Sequence, residues 1–163
     1  MKRAAALVVC LFLLSCLTGC MTDLGDKTES VEQSGEGSLG SYYVKITDHF
    51  VASTVTGKDV LILSFDFTNN GHSGVSAASA LGLTLFQSGI ELSPATLLFP
   101  PAGYDSVNYH KKVKDGATLN CQAAFYLRSR ADPVEVEIAH SFSFGMEKVM
   151  AKLYIDTVSQ PNL

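Results

Sequence analysis

The feature that most constrains this chain is an alternation of apolar and polar residues that sets in after Gly40. In the stretch DVLILSFDFTNNG, residues 59–71, Leu61, Leu63, Phe65 and Phe67 occupy every second position, with Val60, Ile62, Ser64 and Asp66 between them. A period of two sends alternate side chains to opposite faces of an extended strand, whereas an amphipathic helix needs a period near 3.6. The run stops at Asn69-Asn70-Gly71, residues that tolerate positive φ and so favour turns.

The same period recurs along the chain. YYVKITDHF sets Tyr42, Val44 and Ile46 against Tyr43, Lys45 and Thr47, and ALGLTLFQSGIEL aligns Leu81, Leu83 and Leu85 before a Gln87-Ser88-Gly89 turn. VKDGATLNCQAAFYLRS opens on an Asp115-Gly116 turn and then alternates. DPVEVEIAHSF points Val134, Val136 and Ile138 inward and Glu135 and Glu137 outward, and EKVMAKLYID repeats the pattern with Val149, Ala151, Leu153 and Ile155. SGVSAASALG has room for one helical turn at most. Many short alternating runs punctuated by Gly, Pro and Asn predict an all-β, antiparallel sandwich or barrel over residues 41–163.

Ahead of that domain the chain has a different character. Lys2 and Arg3 precede the apolar run AAALVVCLFLLSCL, residues 4–17, and the run ends in Leu17-Thr18-Gly19-Cys20. As a helix this run spans about 21 Å at about 1.5 Å per residue, short of a hydrocarbon core about 30 Å thick. Positive start, short apolar run and small residues at its end form the pattern of an export signal. The segment resembles the lipobox of bacterial lipoproteins, in which the Cys is diacylated and becomes the first mature residue. The resemblance implies a signal peptide over 1–19, cleavage before Cys20, and a lipid anchor on Cys20 at the extracytoplasmic face of the cell membrane. Two acyl chains hold a protein stably where one does not.

Residues 20–40 are read as a tether. The stretch MTDLGDKTESVEQSGEGSLG has no apolar periodicity and carries Asp23, Asp26, Glu29, Glu32 and Glu36 against Lys27. Such a composition cannot bury enough apolar surface to offset its ordering entropy.

Charge and cysteine placement exclude several function classes. The chain has 12 basic and 16 acidic side chains; losing Lys2 and Arg3 with the leader takes the net charge from -4 to -6. An acidic domain lacks the electrostatic drive for nucleic acid, so no nucleic-acid partner is expected. Of four cysteines, Cys10 and Cys16 lie in the leader and Cys20 is the lipid site. Cys121 then remains alone and cannot form an internal bridge; its alternation with Leu119, Ala123 and Phe125 predicts a buried thiol.

The run VLILSFDFTNNG, then LGLTLFQSGIEL, VKDGATLNCQAAFYL and PVEVEI resembles uncharacterised lipoprotein domains of Gram-positive bacteria. The match extends from Ser41 to Asp156 and rests on a strand ending in Phe-Thr-Asn-Asn, a Gln-x-Gly hairpin and a Lys-x-Gly-type turn. It implies an immunoglobulin-like β-sandwich akin to a secreted mycobacterial antigen, and no residue roles. The chain has no Trp and no Cys pair in the domain, so the antibody-type Trp and inter-sheet disulfide are absent.

No catalytic, cofactor-binding or metal site is expected. His49, His72, His110 and His140 form no metal-ligand spacing, and the chain has no nucleophile elbow or phosphate loop. The stretch LLFPPAGYDSVNYHKK, residues 97–112, is irregular and rich in Tyr, and Tyr104, Tyr109 and His110 are its candidate binding residues. Loops on a rigid sandwich commonly carry binding surfaces. The competing reading is a strand-to-strand crossover whose tyrosines cover the rim of the core. The function expected from sequence is therefore a membrane-anchored module engaging an envelope protein, a peptide or a glycan, without catalysis. The alternative is a passive accessory subunit of an envelope complex, and a hydrolase or metal-binding protein ranks below both.

Overall fold

The computed structural model describes residues 34–71, 73–141 and 147–155. The leader, Cys20, most of the tether and His72 lie outside the described residues. The elements in chain order are β1 (Glu36–Leu39), β2 (Tyr42–Ser53), β3 (Asp59–Asn69), the helical turn α1 (Ala77–Ala80), β4 (Leu81–Gln87), β5 (Ile90–Glu91), the helical turn α2 (Val107–His110), β6 (Thr118–Tyr126), β7 (Val134–His140) and β8 (Lys148–Leu153). They form two four-stranded antiparallel sheets, ordered β1-β2-β3-β6 and β5-β4-β7-β8. The all-β expectation holds.

One apolar core joins the two sheets. Leu61, Leu63, Phe65 and Phe67 of β3 and Cys121 and Phe125 of β6 meet Leu85 of β4, Val134, Val136 and Ile138 of β7 and Val149 of β8 in a single cluster. These are the inward positions that the alternation predicts. Burying each large apolar side chain contributes about 1.5–3 kcal/mol relative to leaving it exposed.

Strand β2 changes faces midway. Ile46 pairs with Phe65 and Asp48 with Ser64, leaving Thr47 as an extra residue in a bulge. A slip of one residue exchanges the two faces of a strand. Accordingly Tyr42, Val44 and Ile46 join the main core, whereas beyond the bulge Phe50 and Ala52 join a second cluster on the opposite face of the first sheet. That second cluster centres on Val60, Ile62 and Ala124, and Ala95, Leu97 and Tyr104 of the crossing segment pack over it. Val60 and Ile62, the outward set of β3, are therefore fully buried.

Two turns follow their sequence signals. Ser88 and Gly89 have φ of 52° and 74°, the paired positive values of a two-residue type I′ hairpin between β4 and β5. Gly116 has φ of 73° in the turn that precedes β6.

Two polar residues read from sequence as turn chemistry are instead buried pins. Gln87 is 1% exposed; its Oε1 accepts from the Arg128 and Ser129 N–H groups, and its Nε2 donates to the Ser129 and Asp132 carbonyls at 2.8 Å each. Asn69 ends β3, is fully buried, and donates through Nδ2 to the Val113 carbonyl at 2.9 Å. Residues 36–39, read from sequence as the end of the tether, form β1. The Leu39 side chain is buried, Glu36 pairs with Lys45 across β2, and Gly35 N–H donates to Met150 of β8.

Candidate binding cleft

The cleft forms where the chain leaves one sheet for the other. After β5, Leu92 N–H still donates to the Leu85 carbonyl on β4. The chain then crosses to the edge of β6, where Ala95 N–H donates to the Ala124 carbonyl at 2.8 Å and Tyr126 N–H to the Ser93 carbonyl at 2.9 Å. Leu97 turns in against the second cluster, while Leu98 and Phe99 stay 87% and 70% exposed. Gly103, with φ of 84°, takes a left-handed conformation that glycine adopts without strain and brings the chain back toward β6.

The return leg is fixed by side-chain hydrogen bonds to the edge of β6. Asp105 N–H donates to Gln122 Oε1 at 2.7 Å, and Gln122 Nε2 donates to Ser64 Oγ at 3.0 Å. Asp105 Oδ1 accepts from Val107 N–H, an Asx turn just ahead of α2. Asn108 Nδ2 donates to the Asn120 carbonyl at 3.2 Å. The last of these bonds satisfies one carbonyl of an otherwise open strand edge.

Between this leg and β4 lies a cleft of about 360 Å³, and Tyr104, Tyr109 and His110 all line it. Opposite them stand Leu83 of β4 and Ala123 and Phe125 of β6. Such a volume falls at the small end of ligand sites, which span roughly 300–1,000 Å³. Tyr109 packs on the main core, its ring 6.1 Å from Phe65 and edge-on to it; His110 stacks edge-on to Tyr109 at 5.3 Å. Tyr104 packs on the second cluster instead. The two tyrosines thus brace the β6 edge from both faces of its sheet. Each is half-buried, and desolvation holds each phenol above its ordinary pKa, with a Ser106 hydrogen bond opposing the rise at Tyr104. Both therefore present neutral hydroxyls at neutral pH.

The structure thus brings the three predicted loop residues to one site. The opposing wall was not legible: Leu83 and Phe125 look like ordinary strand residues, and nothing local in the sequence marks them as cleft-lining. The other histidines lie elsewhere. His49 Nε2 is 3.1 Å from the Tyr154 carbonyl, and the His140 ring lies 5.3 Å from Tyr42. Among the described residues no three His, Cys, Asp or Glu side chains gather as a metal site, and no helix is long and apolar enough to cross a membrane.

Two solved structures share this fold. A candidate lipoprotein from Staphylococcus aureus subsp. aureus NCTC 8325 matches with a TM-score of 0.56 at 13% identity, over 74% of this chain and 92% of its own. The NMR structure of a protein from Enterococcus faecalis matches with a TM-score of 0.55 at 15% identity, over 75% and 90%. At these identities the likeness is one of fold. Comparison with curated proteins finds no match. A family model matches residues 20–140, most of the chain, and on that match the chain belongs to the family of the domain of unknown function DUF5067.

Proposed function

We propose that this protein is an extracytoplasmic lipoprotein, anchored in the cell membrane through a diacylated Cys20, that presents an immunoglobulin-like binding module and performs no catalysis. The lipobox-like LTGC and the description of the Staphylococcus aureus neighbour as a candidate lipoprotein support the anchor. The strand order supports the immunoglobulin-like reading. In that reading β2, β3 and β6 correspond to A, B and E in one sheet, and β5, β4, β7 and β8 to C′, C, F and G in the other. The short pairing of residues 93–95 with β6 lies where strand D would run.

The observation that carries the binding role is the convergence of Tyr104, Tyr109 and His110 on one cleft at the side of the sandwich. Tyr offers rigid apolar area and a hydroxyl at little entropic cost, which suits recognition of a protein, peptide or glycan. Exposed Leu98 and Phe99 favour a second reading, an accessory subunit that docks into an envelope complex through this loop.

The deciding experiment is affinity capture from envelope membranes with the lipidated protein and two folded variants. Loss of a captured partner on Tyr104→Ala combined with Tyr109→Leu, with retention on Leu98→Ser combined with Phe99→Ser, supports the cleft. The reverse supports the docking loop.

A further inference from the structure

The cleft has a second property, carried by main-chain geometry. In an antiparallel ladder, successive residues direct their N–H and C=O groups to alternate sides. On β4, Ser141 N–H donates to the Ala80 carbonyl and Leu92 N–H to the Leu85 carbonyl. The even-numbered residues of β4 therefore bond β7, and the odd-numbered ones face β5. Strand β5 covers only Phe86 and Gln87, and Leu92 covers Leu85. The chain then departs for β6, and the line opposite Leu81 and Leu83 is vacated.

Leu81 N–H is used by the Ala77 carbonyl. Leu83 N–H, Leu83 C=O and Leu81 C=O face the vacated line, and among the described residues no hydrogen bond reaches them from that side. Leu83 itself lines the cleft, and its side chain packs on the main core. A strand edge with open donors and acceptors is complementary to another extended backbone. The cleft-lining His110 is followed in sequence by exposed Lys111, whose Nζ also donates to Asn108 Oδ1 at 2.8 Å, and exposed Lys112, a basic run on a domain whose overall charge is acidic.

The geometry points to an extended acidic peptide segment as the occupant, pairing with β4 at Leu81 and Leu83 as a continuation of β5. It sets one apolar side chain into the cleft between Leu83, Tyr109 and Phe125. Its carboxylates lie toward Lys111 and Lys112. This inference rests on the reading of the cleft as a binding site and specifies its ligand class. Main-chain bonds supply affinity in this mode, and the side-chain pocket supplies selectivity.

The test titrates the ¹⁵N-labelled full chain in detergent micelles with the peptide Ac-EVELEV-NH2, following amide shifts and amide exchange. Binding should shift the Leu83 amide and slow its exchange at least about tenfold. N-methylation of one alternate set of peptide nitrogens should weaken binding at least about tenfold, while methylation of the other set leaves it near the parent value. Replacing Glu by Lys in the peptide should weaken binding as well. Shifts at Tyr104 and Tyr109 with an unmoved Leu83 amide and no effect of methylation would overturn strand pairing and leave the cleft standing as a site. No shift at millimolar peptide would overturn the acidic extended peptide as occupant, and the membrane capture with the Tyr104 and Tyr109 variants then judges the cleft by itself.

Discussion

Tyr109 stands edge-on to Phe65, ring centroids 6.1 Å apart at 83°, so a residue of the candidate site is also part of the core. Such an aromatic pair contributes about 0.5–1.5 kcal/mol beyond its buried area. Tyr109→Ala is expected to destabilise the domain by about 2 kcal/mol, less than the about 3–5 kcal/mol of a fully buried aromatic because Tyr109 is half-buried. Tyr109→Phe keeps the ring contact and should fall within about 0.5 kcal/mol of the parent. Urea denaturation of both variants checks the pair.

Gln87 is the second point of leverage. Its side chain serves two N–H groups and two carbonyls in the loop that leads into β7. Gln87→Ala strands those groups at a buried position and should cost about 2–4 kcal/mol, since each buried unsatisfied partner costs about 1–3 kcal/mol and water regains some of them. Hydrogen exchange should show the Arg128 and Ser129 amides losing protection in this variant while the β3 amides keep theirs.

These two residues mark the limit of what the sequence reveals. The inward faces of β7 and β8 were legible because apolar residues alternate there with polar ones, and that of β3 because its Leu and Phe residues fall at every second position. Gln87 and Asn69 were not, because each polar side chain sits beside a turn and nothing local distinguishes a turn residue from a buried pin. Val60 and Ile62 were placed on the correct face, but their burial depends on a crossover some thirty residues later. Strand β1 escaped notice because the pairing of EGSL is set by the backbone of β2, and only Leu39 adds apolar burial. In the candidate site, Tyr104 and Tyr109 stood out by residue type. Leu83 did not, since an open strand edge is a property of topology.

Asp59 carries the clearest pH dependence. Arg130 donates to both its carboxylate oxygens, with Ser53 adding a bond, and these hold the Asp59 carboxyl below its ordinary value. The folded state thus binds this proton less readily than the unfolded chain. The contribution is present above the ordinary Asp value of about 3.9 and is lost as pH falls through the lowered folded value. Both side chains are partly exposed, so screening limits it to about 0.2–1 kcal/mol. Arg130→Ala should lower stability by that amount at pH 7, and the gap should close toward pH 2 in paired denaturation curves.

Cys121 should be chemically silent in the folded protein. Burial, with the nearby Asp66 charge, pushes its thiol up to about 11, so about one molecule in a thousand is thiolate at pH 8. In the lipidated chain, modification by an aromatic disulfide reagent should proceed only as fast as the domain opens and accelerate with urea. Rapid labelling of the native protein would show that the site is reached without opening.

Anchored display of the domain through Cys20 is tested most directly by intact-mass spectrometry of the protein purified from its own membranes. A chain beginning at Cys20 with a diacylglyceryl mass increment, lost together with membrane association in Cys20→Ser, is the predicted result. A processed chain lacking that increment, or a Cys20→Ser variant that still fractionates with membranes as a lipid-bearing mature species, would contradict it.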